Sequence, residues 1–149
     1  MRIKKLVIAA FASCAMAFAG DITVENQFVK EVGAEMPNSA AFMTINNNGA
    51  KAVSLINARS AASKIVELHT HSHKNGMMAM YRVEKIEIPA GGKAELKPMG
   101  FHIMLIGLSK PIKEGESVEV ELVFDNGESV KVSAPVRKLG AMKPSAVMK

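Results

Sequence analysis

Three histidines alternate with small polar residues in His69-Thr70-His71-Ser72-His73, and the fourth, His102, stands two positions before Met104. Between them runs Asn75-Gly76-Met77-Met78-Ala79-Met80, part of a chain that holds 11 methionines in 149 residues and no tryptophan. Imidazole nitrogen and thioether sulfur are both metal donors. Thioether is soft and neutral and suits Cu(I), whereas imidazole serves copper, zinc, iron and nickel alike. Zinc sites draw on Cys, His and carboxylate, not on Met. A set of two His and two Met carries no ligand charge, which favours a singly charged ion.

The elements that must bring these donors together read as short strands. In an extended segment, residues two apart share a face. His69 and His71 then share one face, Met78 and Met80 another, and His102 and Met104 a third. Period-two alternation or apolar β composition marks Ile22 to Val29, Ala40 to Asn46, Ala52 to Ala58, Lys64 to Thr70, Met77 to Val83, Lys93 to Lys97, Phe101 to Leu108, Val118 to Phe124 and Ser129 to Ala134. Turn chemistry separates them at Asn48-Gly49, Asn75-Gly76, Gly91-Gly92 and Asn126-Gly127, the last a hairpin signal because Asn-Gly tolerates positive φ. Only Asn57 to Ile65 has the composition of a short helical turn. His71 and His73 fall beyond the Lys64–Thr70 strand; the competing reading makes both solvated loop residues, and for His73 it is the one taken. About nine closely spaced strands without a long helix predict an all-β, antiparallel sandwich or barrel, with function at one rim. Four donors from three segments could therefore meet at one end of it.

Residues 1–19 read as an export signal. Arg2, Lys4 and Lys5 form a basic start, Leu6 to Ala17 an apolar stretch too short to span a membrane, and Ala17-Phe18-Ala19 a cleavage site. The competing reading is lipid attachment at Cys14, after Phe11-Ala12-Ser13. Cys14 is the single cysteine, so either cut leaves residues 20–137, the expected binding domain, without a thiolate ligand, nucleophile or disulfide. Cleavage also takes three of the 19 basic residues, leaving a small excess over the 14 acidic ones. That balance tells against a nucleic-acid partner. Residues 138–149 read as a flexible tail carrying Met142 and Met148.

Taken together, the donors form one pattern: His69, ten residues, Met80, twenty-one residues, His102, one residue, Met104. With Glu67-Leu68-His69-Thr70-His71, Gly76-Met77-Met78-Ala79-Met80, Ile88-Pro89-Ala90-Gly91-Gly92 and His102-Ile103-Met104-Leu105, this spacing resembles the periplasmic copper chaperones called PCu(A)C. The resemblance spans about Asp21 to Val136. It implies a cupredoxin-like Greek-key fold that binds Cu(I) through His69, Met80, His102 and Met104. It also implies a periplasmic protein that delivers copper to the CuA-bearing subunit of a haem–copper oxidase, alongside a thioredoxin-fold copper chaperone. Some members add a His- and Met-rich tail for Cu(II). Here the tail has methionine but no histidine, which tells against that second site.

Other functions would use the same residues differently. A blue-copper carrier needs a Cys thiolate. A zinc hydrolase could use Glu67, His69 and His71 but would leave the methionines unexplained. A metal-free adhesion or assembly module would make the pattern a coincidence, and storage or copper resistance would share the site but not the recipient. Chaperoning breaks no covalent bond in a substrate, so no enzyme activity is expected.

Overall fold

The computed structural model describes residues 17–74 and 76–138; Cys14, Met142 and Met148 lie outside the described residues. Its strands are β1 (Ala17–Ala19), β2 (Ile22–Lys30), β3 (Asn38–Asn47), β4 (Val53–Arg59), β5 (Ser63–Lys74), β6 (Met77–Arg82), β7 (Ile86–Ile88), β8 (Lys93–Leu96), β9 (His102–Leu108), β10 (Ser117–Phe124) and β11 (Ser129–Arg137). β1 lies within the segment read as the export signal and pairs antiparallel with β2.

The ladder runs β6-β5-β9-β3-β2-β11-β10-β4-β7, with β1 added to β2 and β8 to β3. Every pairing is antiparallel except the short parallel contact of Val136 and Arg137 with Val29 and Lys30. That contact joins two sheets of a sandwich, with the core between them. Val24, Ile45, Ile103 and Leu105 enter it from one side, and Leu55, Val120, Leu122, Phe124 and Val132 from the other. β10 and β11 alternate buried and solvent-facing residues as half-buried strands should. Asn126-Gly127 turns between them, with Gly127 at φ 91°.

The expected helical turn over Asn57–Ile65 does not form. β4 continues to Arg59, β5 begins at Ser63, and Ser60 fills the corner by donating its hydroxyl to Glu119 O at 2.7 Å and accepting from Ala62 N at 3.2 Å. Ala-Ala-Ser-Lys favours helix locally, but three residues between two paired strands leave no room for one. β5 also outruns its expected end at Thr70. It stays paired with β6 through Lys74, so His71 and His73 are strand residues and not loop residues. β7 was missed because three residues cannot display a period.

One irregularity prepares a second, smaller core. Between Glu25 and Phe28 the β2–β3 register slips by one residue, with Asn26 at φ 59°. A bulge reverses which face the following residues occupy. Ile22 and Val24 face the main core, but beyond the bulge it is Val29 that does so, and Phe28 is turned to the outer face. There Phe28, Ala40 and Phe42 cluster under Met104, with the two rings 5.2 Å apart. β3 is consequently covered on both faces and reads as a nearly continuous buried run. Phe42→Ala should lower stability by about 3 kcal/mol, seen as an earlier urea midpoint, whereas Phe42→Leu should lose much less.

Candidate metal centre

The outer-face cluster is the floor of a cavity of about 370 Å³ whose lining includes His71, Met80, His102 and Met104. Strand register assembles it. β5 lies between β6 and β9, and His69 stands opposite His102 while His71 stands opposite Met80. Side chains directly opposite on an antiparallel pair point to the same face. Leu68 faces the main core, so His69 and His71 project away from it. On β9, Ile103 and Leu105 are core residues, which turns His102 and Met104 outward as well.

His102 is the most enclosed of these donors, 3% exposed. Its ring lies 6.1 Å from that of Phe42, 5.9 Å from His69 and 5.3 Å from His71. Nδ1 donates to Gly100 O at 2.9 Å, so in the neutral ring Nε2 carries a lone pair. That lone pair faces Met80 Sδ at 3.2 Å. Two electron-pair donors so close are suited to sharing one cation, a proton or a metal ion. Ligand–metal bonds of about 2.0–2.3 Å leave two donors of one ion roughly 3–4 Å apart, which this pair already satisfies. Burial holds the His102 imidazole below its ordinary value of 6.5; the Gly100 carbonyl opposes that shift, and His71 and His69 reinforce it.

His69 is prepared in a parallel way. Its Nε2 is 2.9 Å from Glu67 Oε1. A carboxylate only accepts, so Nε2 is the protonated nitrogen and Nδ1 the free one. Nδ1 is buried without a hydrogen-bond partner. An imidazole fixed by a carboxylate on one nitrogen and open on the other is the usual arrangement of a metal-ligating histidine. His71 Nδ1 is likewise buried and unpartnered.

Met80, His102 and Met104 thus line one cavity, and His69 adjoins it with its ring beside His102. Met77, Met78 and His73 are described by backbone pairing alone, with His73 opposite Met78. Sequence reasoning left His71 at the margin, although its two-residue offset from His69 already put both on one face. It did not single out Met36 or Met99, which also line the cavity; both are distant in sequence from the histidines. Among the described residues no three His, Cys, Asp or Glu side chains are placed to hold a metal without help. The zinc-hydrolase trio of Glu67, His69 and His71 is therefore not assembled: the carboxylate is engaged with one imidazole.

The fold and sequence have close counterparts. A curated relative from Leifsonia xyli subsp. xyli, named "Putative lipoprotein Lxx21020", is 35% identical over 120 residues, covering 80% of this chain and 71% of its own. The solution structure of CuI-DR1885 from Deinococcus radiodurans is 33% identical, with a TM-score of 0.62 over 78% of this chain and 79% of that one. The copper-bound PCuAC domain from PmoF2 is 24% identical and superposes with a TM-score of 0.69 over 82% of this chain and 97% of that domain. The sandwich is therefore cupredoxin-like, as the family resemblance implied. Residues 22–136 match the family described as "Putative lipoprotein LpqE-like", and a match over that much of the sequence makes this chain a member of the LpqE-like family.

Proposed function

We propose that this protein is an exported Cu(I) metallochaperone. It takes one Cu(I) as cargo through His69 Nδ1, Met80 Sδ, His102 Nε2 and Met104 Sδ, and passes it on for assembly of a CuA-type oxidase centre. The observation that carries this reading is His102 Nε2 facing Met80 Sδ at 3.2 Å while its Nδ1 is engaged by Gly100 O. The unpartnered Nδ1 of His69 supports it. The copper named in the titles of two structural relatives gives independent support.

The donor set explains both capture and release. All four ligands are neutral, so a monovalent soft ion is preferred over a divalent hard one. The histidines are held by Glu67 and Gly100, whereas Met80 is 46% exposed. An incoming thiolate or imidazole of an acceptor therefore meets the exposed thioether first. Stepwise exchange transfers the ion without oxidation or reduction and without moving a proton on sulfur. That accessibility favours delivery over storage, which would enclose the metal. The CuA-bearing oxidase subunit and a thioredoxin-fold copper chaperone are the partners this reading implies. The lipoprotein naming of the relative agrees with an envelope location. No described helix is long and apolar enough to cross a membrane.

Titration of the protein with Cu(I) against a chromogenic chelator should show one tightly held ion, lost in His102→Ala/Met104→Ala. Absence of competitive uptake by the unaltered protein would overturn the proposal. Glu67→Ala should weaken binding about tenfold by releasing the His69 ring.

Protons compete with copper for imidazole but not for thioether. Because the His102 value is lowered, its nitrogen stays unprotonated as pH falls through 6.5 and loses copper only in more acid solution. The chelator-measured affinity should accordingly be flat above pH 7 and decline below about 6. In His102→Ala that decline should become shallower.

A further inference from the structure

One residue at the mouth of the cavity has two unfavourable properties at once. Met99 lines the same cavity as Met80, His102 and Met104 and is 60% exposed, the highest value among the large apolar side chains of the described residues. Its backbone also sits at φ 72°, a left-handed conformation that L side chains adopt at a cost. The turn shows why. Gly100 N donates to Lys97 O at 2.9 Å, with Pro98 second and Met99 third in the four-residue turn. Proline at the second position and positive φ at the third are the marks of a type II turn, which calls for glycine where Met99 stands.

The same turn carries a ligand's anchor. Lys97 N donates to Phe101 O at 2.9 Å, closing the connection from β8 to β9, and Gly100 O accepts from His102 Nδ1. The turn that fixes the buried imidazole therefore displays a thioether at the rim beside it. A glycine would serve the turn better and a polar residue would serve the surface better. Neither property is needed for packing, and the feature that remains is the sulfur.

We propose that Met99 is a transit ligand for Cu(I). This rests on the copper-carrying reading above and specifies the route of the ion through that site. As Cu(I) leaves, a bond from Met99 Sδ to copper forms while the bond to Met80 Sδ breaks. The ion stays monovalent, every ligand stays neutral, and no proton moves. Arrival runs the same steps backward. A transit ligand lowers the barrier in both directions and so changes exchange rates without changing the equilibrium, which the resident His69, Met80, His102 and Met104 set.

The test compares the unaltered protein with Met99→Leu and Met99→Gly, using bathocuproine disulfonate as the copper acceptor in stopped flow. A small chelator has no protein surface to dock, so the readout isolates ligand exchange. Leucine keeps the apolar bulk and removes the sulfur, while glycine suits the left-handed turn and guards against misfolding. The expected result is a fall of at least fivefold in the transfer rate in both variants, with the equilibrium affinity moving less than twofold. In protein carrying ¹³C-methyl methionine, one equivalent of Cu(I) should broaden the Met99 methyl signal by exchange. An unchanged rate in Met99→Leu, or a Met99 signal that stays sharp and unmoved, would overturn the transit role. Failure of the unaltered protein to take up Cu(I) would instead overturn the copper-carrying reading on which it rests.

Discussion

The hydrogen bond from His102 Nδ1 to the Gly100 carbonyl governs the chemistry of the whole site. It decides which nitrogen of the most buried histidine is free, and it aims that nitrogen at the Met80 sulfur. Without it the ring could rotate or change tautomer, and Nε2 could meet sulfur with a proton instead of a lone pair. The bond in turn depends on the Lys97–Phe101 turn, on the antiparallel pairing that carries β9 across β3 and β5, and on Phe42 lying beneath the ring. A local carbonyl, a strand register and an aromatic floor thus converge on one imidazole.

That floor comes from a bulge. If β2 kept perfect alternation, Phe28 would lie on the core face with Ile22 and Val24, and the outer face beneath Met104 would lose one of its two phenylalanine rings. The extra residue at Asn26–Gln27 reverses the alternation. Arg137 then covers the Phe28 ring, its guanidinium carbon 5.5 Å from the centroid. A sheet in a two-layer sandwich ordinarily buries one face and wets the other. Here part of the outer face is made apolar enough to exclude water from His102, and this exclusion lowers the imidazole's proton affinity and leaves it open to metal.

Much of this was legible in the sequence, and the failures are informative. The strands of β10 and β11 announced themselves because Val118, Val120, Leu122 and Phe124 alternate with polar residues, and the Asn126-Gly127 turn fixed their pairing. The donors Met80, His102 and Met104 could be tied together by spacing, and the structure brings them to one cavity with His69 beside it. The bulge could not be read, since Glu25-Asn26-Gln27-Phe28 looks like ordinary alternation with a polar interruption. Nor could the reach of β5 through Lys74, because His71, Ser72 and His73 have no strand preference of their own and are held extended by β6. Met99 was hidden for another reason. Its significance lies in a backbone angle and in a cavity formed by β3, β6 and β9, neither of which leaves a local signature.

Sheet geometry itself accounts for the mixture of histidine and methionine around the cavity. Residues facing one another on paired strands have Cα atoms about 4.5–5.5 Å apart, and the rigid rings they carry inherit that spacing. His69 stands opposite His102 with ring centroids 5.9 Å apart, and His71, two residues along the same face, lies diagonally at 5.3 Å. Imidazoles alone, mounted on a nearly flat surface, do not close around one ion without moving the strands. Methionine, unbranched and freely rotating, can lean across such a gap, as Met80 does to bring its sulfur within 3.2 Å of His102 Nε2. A helix or a tight loop could gather three histidines and serve zinc. A sheet face needs the longer, softer arm, and by recruiting sulfur it acquires a preference for a soft, monovalent ion. On the proposed copper-carrying reading, the preference for a soft ion is a consequence of the architecture as well as of the side chains placed on it.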